Sequence, residues 1–376
     1  MIKSLKDIKK QEEILLNRHT NLSNLKVESV KYAFIEKDKF LSIANYIENS
    51  WKDTYKKNSR LKYSPGYLKW VFNKEGIESD LSVALINDLN QVVGLFLFSP
   101  RTVLINNKII KSGIQTGLSI SPKNKREGAA KYLHLQVQKR ALEKIDAHFY
   151  WYDSSINIPL SSYKIFTKFE KKYFNHWGDF SLKARIFDYD RAIANHDFRM
   201  FEKPILKIFS GKPTKRGKKN IQKITPENIS ECTSFINGYT RQNNCGRLFN
   251  EDELLKYACS SFKDHQCIGW CSRKAGKLNG VAVGFTIKTI GKSTEEIFFL
   301  DMINVRKDGE LSDFIKEIEF AVAHSTDCFC ILTPDPQLKL SHGYLPSGSK
   351  ISCYNIFYYG SVITSPNKEK LYIDHK

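Results

Sequence analysis

No two of the chain's eight cysteines form a C-x-x-C pair, methionine occurs three times, and no apolar run is longer than a strand. The missing C-x-x-C removes the usual spacing of a zinc ribbon or a dithiol redox motif. Cys328-Phe-Cys330 and the Cys267/Cys271 pair fall in strand-like segments and read as buried, reduced thiols. Apolar runs such as 92–98 are too short to cross a bilayer. The N-terminus is rich in Lys and Glu with no apolar core, so it does not read as a secretory signal, and a soluble cytoplasmic protein is expected. His134, His148, His176 and His342 lack ligand spacing, and no metal is expected. Ser154-Ser155 and Ser161-Ser162 are not set in a nucleophile elbow. Acidic residues are also short: 40 Asp and Glu against 59 Lys and Arg leave a net charge of +19. Such a surface attracts polyanions. Because lysine is spread along the whole chain, a solvated surface explains part of it. The expected consequence is weak attraction to RNA, the ribosome or an anionic membrane surface, on a monomer.

What is present is an alternation of strand-like and helix-like segments over 376 residues, enough for two domains. Residues 1–30 read as a polar helix or arm. A strand is expected at 27–33, helices at 38–51 and 65–72, and a hairpin at 81–87 and 92–98 around Asp88-Leu89-Asn90. Another strand at 109–120, a helix at 128–143, a strand at 148–152 and a short helix at 163–169 follow. The stretch 203–223 combines Pro, Gly and the basic cluster Lys215–Lys219 with little periodicity, and reads as a linker. The order then recurs: a strand at 221–224, helices at 226–239 and 251–262, strands at 267–272, 281–287 and 297–305, a helix at 311–324, and strands at 328–332 and 352–359. The two halves read as copies of one plan, an antiparallel meander closed by one parallel crossover.

The stretch "TGLSISPKNKREGAAKYL" (116–133) is where a strand hands over to a helix. A helix N-terminus leaves backbone N–H groups unpaired, and the helix dipole adds positive potential there. Small side chains at Gly128, Ala129 and Ala130 let a phosphate reach those amides, and Lys123, Lys125 and Arg126 bring cations. A pyrophosphate is the natural guest.

Lys125-x-x-Gly128-x-Ala130 resembles the phosphate loop of the GNAT acyltransferases, Arg/Gln-x-x-Gly-x-Gly/Ala. A nearer resemblance covers residues 40–376. "RLKYSPGYLKW" (60–70) is similar to the R-F-D-Y-S-P-E-F-L-x-W of the eukaryotic N-myristoyltransferases. Residues 114–131 overlay that family's E-I-N-F-L-C-V-H-K-K-L-R-S-K-R-L-A-P, sharing Leu118, Lys123 and Ala130. "SGKPTKRGKK" resembles its x-P-K-T-x-G-L-R, "ITPENISECTSFINGYTRQ" the opening of its second half, Asn304-Val305 its Y-N-V, and "SCYNIFYYG" its Y-Y-L-Y-N-W. "EKLYIDHK" ends this chain where E-K-V-G-L-x-L-x ends that family.

The resemblance implies a mixed α/β (α+β) fold of two tandem GNAT-like domains, each a mostly antiparallel twisted sheet flanked by helices. The expected division is an arm at 1–26, an acyl-CoA-binding domain at 27–200, a basic linker at 201–220 and an acceptor-binding domain at 221–376. It implies fatty-acyl transfer from acyl-CoA, as co-substrate, to an amine, namely the N-terminal glycine of a protein or peptide. The amides of Gly117 and Leu118 would hold the oxyanion, and the carboxylate of Lys376 would act as base. A carboxylate of pKa ~3.5 is a weak base, but an α-amino group of pKa ~8 is already partly neutral at pH 7 and needs mainly to be held. Lys123, Lys125, Arg126, Glu127, Gly128, Ala129 and Ala130 would surround the phosphates. Thr116, Tyr152, Asp153 and Asn304 would face the acceptor.

The sequence also departs from that family. Its acidic E-D-D-D run is Asp53-Thr54-Tyr55-Lys56-Lys57 here, which disfavours a basic acceptor peptide. Thr116 replaces an Asn, Tyr163-Lys164-Ile165-Phe166 replaces Y-W-H-R, and no aromatic-Pro segment stands in residues 1–30. Two other functions stay open: a tandem-GNAT enzyme acting on a small amine, a lipid head group or an aminoacyl-tRNA, and an inactive basic binding module.

Overall fold

The structure, a computed structural model, describes residues 4–31, 34, 39–55, 60–72, 81–124, 128–142, 144–153, 175–214, 221–306, 311–334, 338 and 343–357. The first half opens with α1 (Leu5–Arg18), β1 (Lys26–Ser29), α2 (Phe40–Tyr55), β2 (Arg60–Lys62) and α3 (Pro65–Phe72). A meander follows: β3 (Val83–Ile86), β4 (Val92–Ile105) and β5 (Lys108–Ile120). Its tight turns are made by asparagine, with Asn90 at φ 56° and Asn106-Asn107 at 48° and 63°, the left-handed geometry that short hairpins need. The chain then crosses over through α4 (Ala129–Ala141) to β6 (Ala147–Asp153), which pairs parallel with β5. The half ends with β7 (Asn175–Ile186), α5 (Tyr189–Asn195) and α6 (Glu202–Phe209).

The second half repeats this order. It runs β8 (Ile221–Lys223), α7 (Ile229–Asn243), β9 (Cys245–Leu248), α8 (Glu251–Cys259) and β10 (Ser261–Phe262). The meander is β11 (His265–Lys274), β12 (Lys277–Ile290) and β13 (Thr294–Val305). The crossover runs through α9 (Leu311–Ser325) to β14 (Cys330–Thr333), parallel to β13, and β15 (Leu345–Phe357) closes the described chain.

The halves are laced together by exchanged strands. β2 of the first half pairs with β12, and β9 of the second pairs with β4. β7 pairs with β14 of the other half, β15 with β6, and β7 and β15 pair with each other. One sheet therefore runs β1-β3-β4-β5-β6-β15-β7-β14-β13-β12-β11-β10 through both halves.

The core follows the same logic. α2 and α3 share one hydrophobic cluster with α7 and α8. There the Trp70 ring stacks on Tyr257 at 5.9 Å, with Phe285 at 4.9 Å and His265 at 4.6 Å, and the indole donates to the Lys256 carbonyl at 3.0 Å. Separate clusters lie under α1 and α4 in the first half and under α9 in the second.

Of the polar helix or arm expected over residues 1–30, the helix is found, and two further features differ from the sequence reading. The arm is a docked helix: Ser4 and Asp7 form a capping box, Ile8 and Leu15 are buried, and Glu12 accepts from Gln136 of α4 at 2.5 Å. The first part of the expected linker is the helix α6, eight residues long with Pro204 in its first turn and its apolar residues mostly facing outward. The helix expected at 251–262 stops at Cys259, and β10 follows. The expected helix at 163–169 and the Lys215–Lys219 cluster lie outside the described residues. Among the described residues no helix is long and apolar enough to cross a membrane.

Candidate functional site

β5 and β6 run side by side from Ser112↔Ala147 to Gln115↔Tyr150, and no further pairing follows. β5 continues to Ile120 and β6 to Asp153, so the sheet opens between them at Thr116. On its other edge β5 pairs with β4, and there the register skips: Leu97 faces Thr116, Leu95 faces Ser119, and Phe96 faces both Gly117 and Leu118. This is a β-bulge, placed at the mouth of the opening.

The bulge needs its glycine twice over. Gly117 lies at φ 65°, and a Cβ there would meet Leu97 Cδ1 at 3.0 Å and the Tyr63 ring at 3.6 Å. Its peptide planes are fixed through their carbonyls. Ser119 Oγ donates to the Gly117 carbonyl at 3.0 Å, and the Trp51 indole donates to the Leu118 carbonyl at 3.0 Å. Because N–H and C=O point oppositely in a peptide plane, the first bond aims the Leu118 amide away from Ser119. Thr116 shares a hydrogen bond of 2.9 Å with the buried Tyr63 hydroxyl, and burial pushes that phenol's pKa up. Tyr63 belongs to the "RLKYSPGYLKW" segment, so two sequence matches about 50 residues apart meet here. Ser64 caps the next helix by accepting from the Tyr67 amide at 3.1 Å, and donates to the Asp264 carbonyl at 3.2 Å across the half boundary.

Beyond β5 the chain makes a helical turn at Pro122–Asn124 that leaves Lys123 exposed. Lys125, Arg126 and Glu127 lie outside the described residues. Gly128 resumes the chain in the left-handed region, at φ 78°, as the N-cap of α4. A Cβ on Gly128 would meet the His19 ring at 2.8 Å and Leu15 at 3.2 Å, so the end of α1 closes over this turn. Among the described residues no side chain caps α4, whereas α1 and α8 each carry a capping box. A helix N-terminus without a side-chain cap, here at Gly128, Ala129 and Ala130, is the arrangement that receives anions.

Of the other residues singled out in the sequence, Tyr152 and Asp153 are placed by backbone alone. They sit on β6 across the opening and pair with Ser352 and Ile351 of β15. Asn304 stands on β13 in the other half, 2% exposed, and its Oδ1 has no partner among the described residues. Lys376 lies outside the described residues. The sequence reading missed Trp51, Tyr63 and Ser119. For Tyr63 the resemblance offered a signal, while Trp51 and Ser119 gave none.

The second half carries the same opening in altered form. Among the described residues β13 and β14 pair at Phe298↔Ile331 and Phe299↔Leu332, and the register with β12 skips at Asp301. The bulge thus falls two residues beyond the last parallel pair, as Gly117 does after Gln115. Here it holds a buried aspartate whose Oδ2 accepts from the Tyr257 hydroxyl. Among the described residues no group of three His, Cys, Asp or Glu is placed to hold a metal ion.

No family model matches the sequence. No curated protein matches it either. Solved structures do match. An N-myristoyltransferase from Saccharomyces cerevisiae with bound myristoyl-CoA superposes with a TM-score of 0.72 at 13% identity, covering 90% of this chain and 84% of that one. A structure of the Saccharomyces cerevisiae enzyme with myristoyl-CoA and inhibitors gives 0.72 at 12% identity, over 93% and 86%. A GCN5-related N-acetyltransferase from Anabaena variabilis gives 0.51 at 9% identity, over 88% and 72%. This chain has the fold of the N-myristoyltransferases, built from two GNAT-like halves.

Proposed function

We propose that the protein is an N-acyltransferase that moves a fatty acyl group, myristoyl being the first candidate, from acyl-CoA to an amine, the N-terminal glycine of a protein. The observation that carries this reading is the bulge at Gly117-Leu118 in the mouth of a parted sheet, on the strand that leads into an uncapped helix N-terminus. The myristoyl-CoA bound in structures of the same fold supports the choice of co-substrate.

In this reading the CoA pyrophosphate meets the amides of Gly128, Ala129 and Ala130, with Lys123, Lys125 and Arg126 as cations. The thioester carbonyl lies at the bulge. The acceptor nitrogen attacks that carbon, and the amides of Gly117 and Leu118 receive the oxygen as it becomes negative; one such donor is worth ~10²–10³ in rate. The C–S bond then breaks, CoA leaves as thiolate, and the proton lost by the amine passes to a base. Thr116, Tyr152, Asp153 and Asn304 orient the acceptor. The basic Lys56-Lys57, standing where the resembled family is acidic, favours an acceptor that is not itself basic. A small amine, a lipid head group or an aminoacyl-tRNA is the second reading on that ground.

The test is CoA release with myristoyl-, palmitoyl- and acetyl-CoA against glycine-starting peptides of neutral, acidic and basic composition. Turnover with a long-chain thioester and a glycine peptide is expected. Release with no peptide but with a small amine or aminoacyl-tRNA would move the assignment to the second reading. No CoA binding at all would end both.

A further inference from the structure

We infer that α6 is a membrane-docking helix that lays its outer face on an anionic lipid surface. Phe201, Pro204, Ile205 and Ile208 recur at helical spacing, and all are exposed. Met200, Phe201, Ile205 and Ile208 are 88%, 64%, 47% and 77% exposed. Other exposed large apolar side chains, such as Leu89 and Ile109, stand apart along the chain. Single exposed residues need no explanation, but a contiguous apolar stripe on one helix face does.

The stripe is presented rather than loose. Leu206 is buried on the opposite face of α6. The half-buried Arg185 guanidinium donates to the Phe209 carbonyl at 2.8 Å and the Gly211 carbonyl at 3.1 Å, and lies 3.4 Å from Glu319. These bonds satisfy carbonyls that a helix C-terminus leaves open and fix the direction in which the stripe faces.

Its surroundings select the occupant. Arg199, Lys203, Lys207 and Lys212 are exposed along the helix and its ends, with Arg199 5.9 Å from the Phe201 ring centroid. An apolar stripe edged by cations fits the boundary between acyl chains and anionic head groups. A second copy of this chain is a poor occupant, since face-to-face pairing would oppose the same cations on molecules of net charge +19. Eight residues are too few to cross a bilayer, so the helix lies on the surface. The inference does not depend on the proposed chemistry.

Vesicle flotation of the full chain tests it. Binding is expected to phosphatidylcholine vesicles carrying ~30% phosphatidylserine, and not to pure phosphatidylcholine. The double variant Ile205→Glu/Ile208→Glu should reduce the bound fraction about tenfold or more, and Lys203→Glu/Lys207→Glu should remove the preference for anionic lipid. Both pairs are exposed, and melting curves matching wild type would verify intact folds. Wild type that stays unbound on anionic vesicles, or an isoleucine variant that floats as well as wild type, would overturn the inference. So would a wild-type dimer in sedimentation velocity that the isoleucine variant dissociates, because the face would then belong to a second copy.

Discussion

The two sheet openings are built alike and finished differently. In each, a crossover strand pairs briefly with the meander and parts from it, and one extra residue bulges two positions later. In the first half that residue is Gly117, whose neighbours grip carbonyls; in the second it is Asp301, buried and hydrogen-bonded by Tyr257. A repeated plan supplies two bulges at corresponding positions, and different residues occupy them. At Gly117 the side-chain position is already closed by Leu97 and Tyr63, so the bulge presents backbone alone. A buried aspartate at the corresponding bulge must itself be satisfied, because an unpaired buried carboxylate is costly.

The comparison can be broken most severely by separating the halves. Expressed as 1–214 and 221–376, neither should give a cooperative melt, because each would lose the strands that cover its edges and half of the shared Trp70–Tyr257 cluster. Two independent, soluble melts would show that the exchanged strands are dispensable.

Within the intact chain, Gly117→Val should lower acyl transfer ~100-fold or more, since a β-branched residue at positive φ clashes with Leu97 and re-aims the amides. Tyr257→Phe should act the other way round. It leaves an Asp301 oxygen without its hydroxyl, costing about 1–3 kcal/mol of stability by denaturant unfolding, with acyl-CoA affinity little changed. Equal effects of both variants on affinity would mean that the second opening also takes part in binding.

A smaller effect is expected with pH. Burial pushes the Glu319 carboxyl up to about 7 against the pull of Arg185. Between its unfolded value and that pH the folded state holds a proton that the unfolded chain has released, so stability falls as pH rises through this window. Melting measured from about pH 5 to 8 should fall in wild type and fall less in Glu319→Gln, a difference on the order of 2 kcal/mol.

Much of the frame was legible in the chain. Periodicity located both meanders and crossovers. Gly117 was singled out through the resemblance, while the bulge around it shows only in the pairing of β5 with β4. The exchanged strands were not legible. β2 and β9 have three and four residues, too few for alternation to be distinguished from loop, and only their partners in the other half define them. Nor was Asp301, since a polar residue in a strand reads as solvent-facing until the bulge turns it inward. α6 is eight residues long with Pro204 in its first turn, too short for its period to stand out from a Pro- and Gly-containing connection.

Amide hydrogen exchange with and without a long-chain acyl-CoA reads both bulges in one experiment. New protection is expected at Gly117, Leu118 and the amides of 128–131, with 300–305 unchanged. Protection at 300–305 with none along 117–131 would contradict the proposed function.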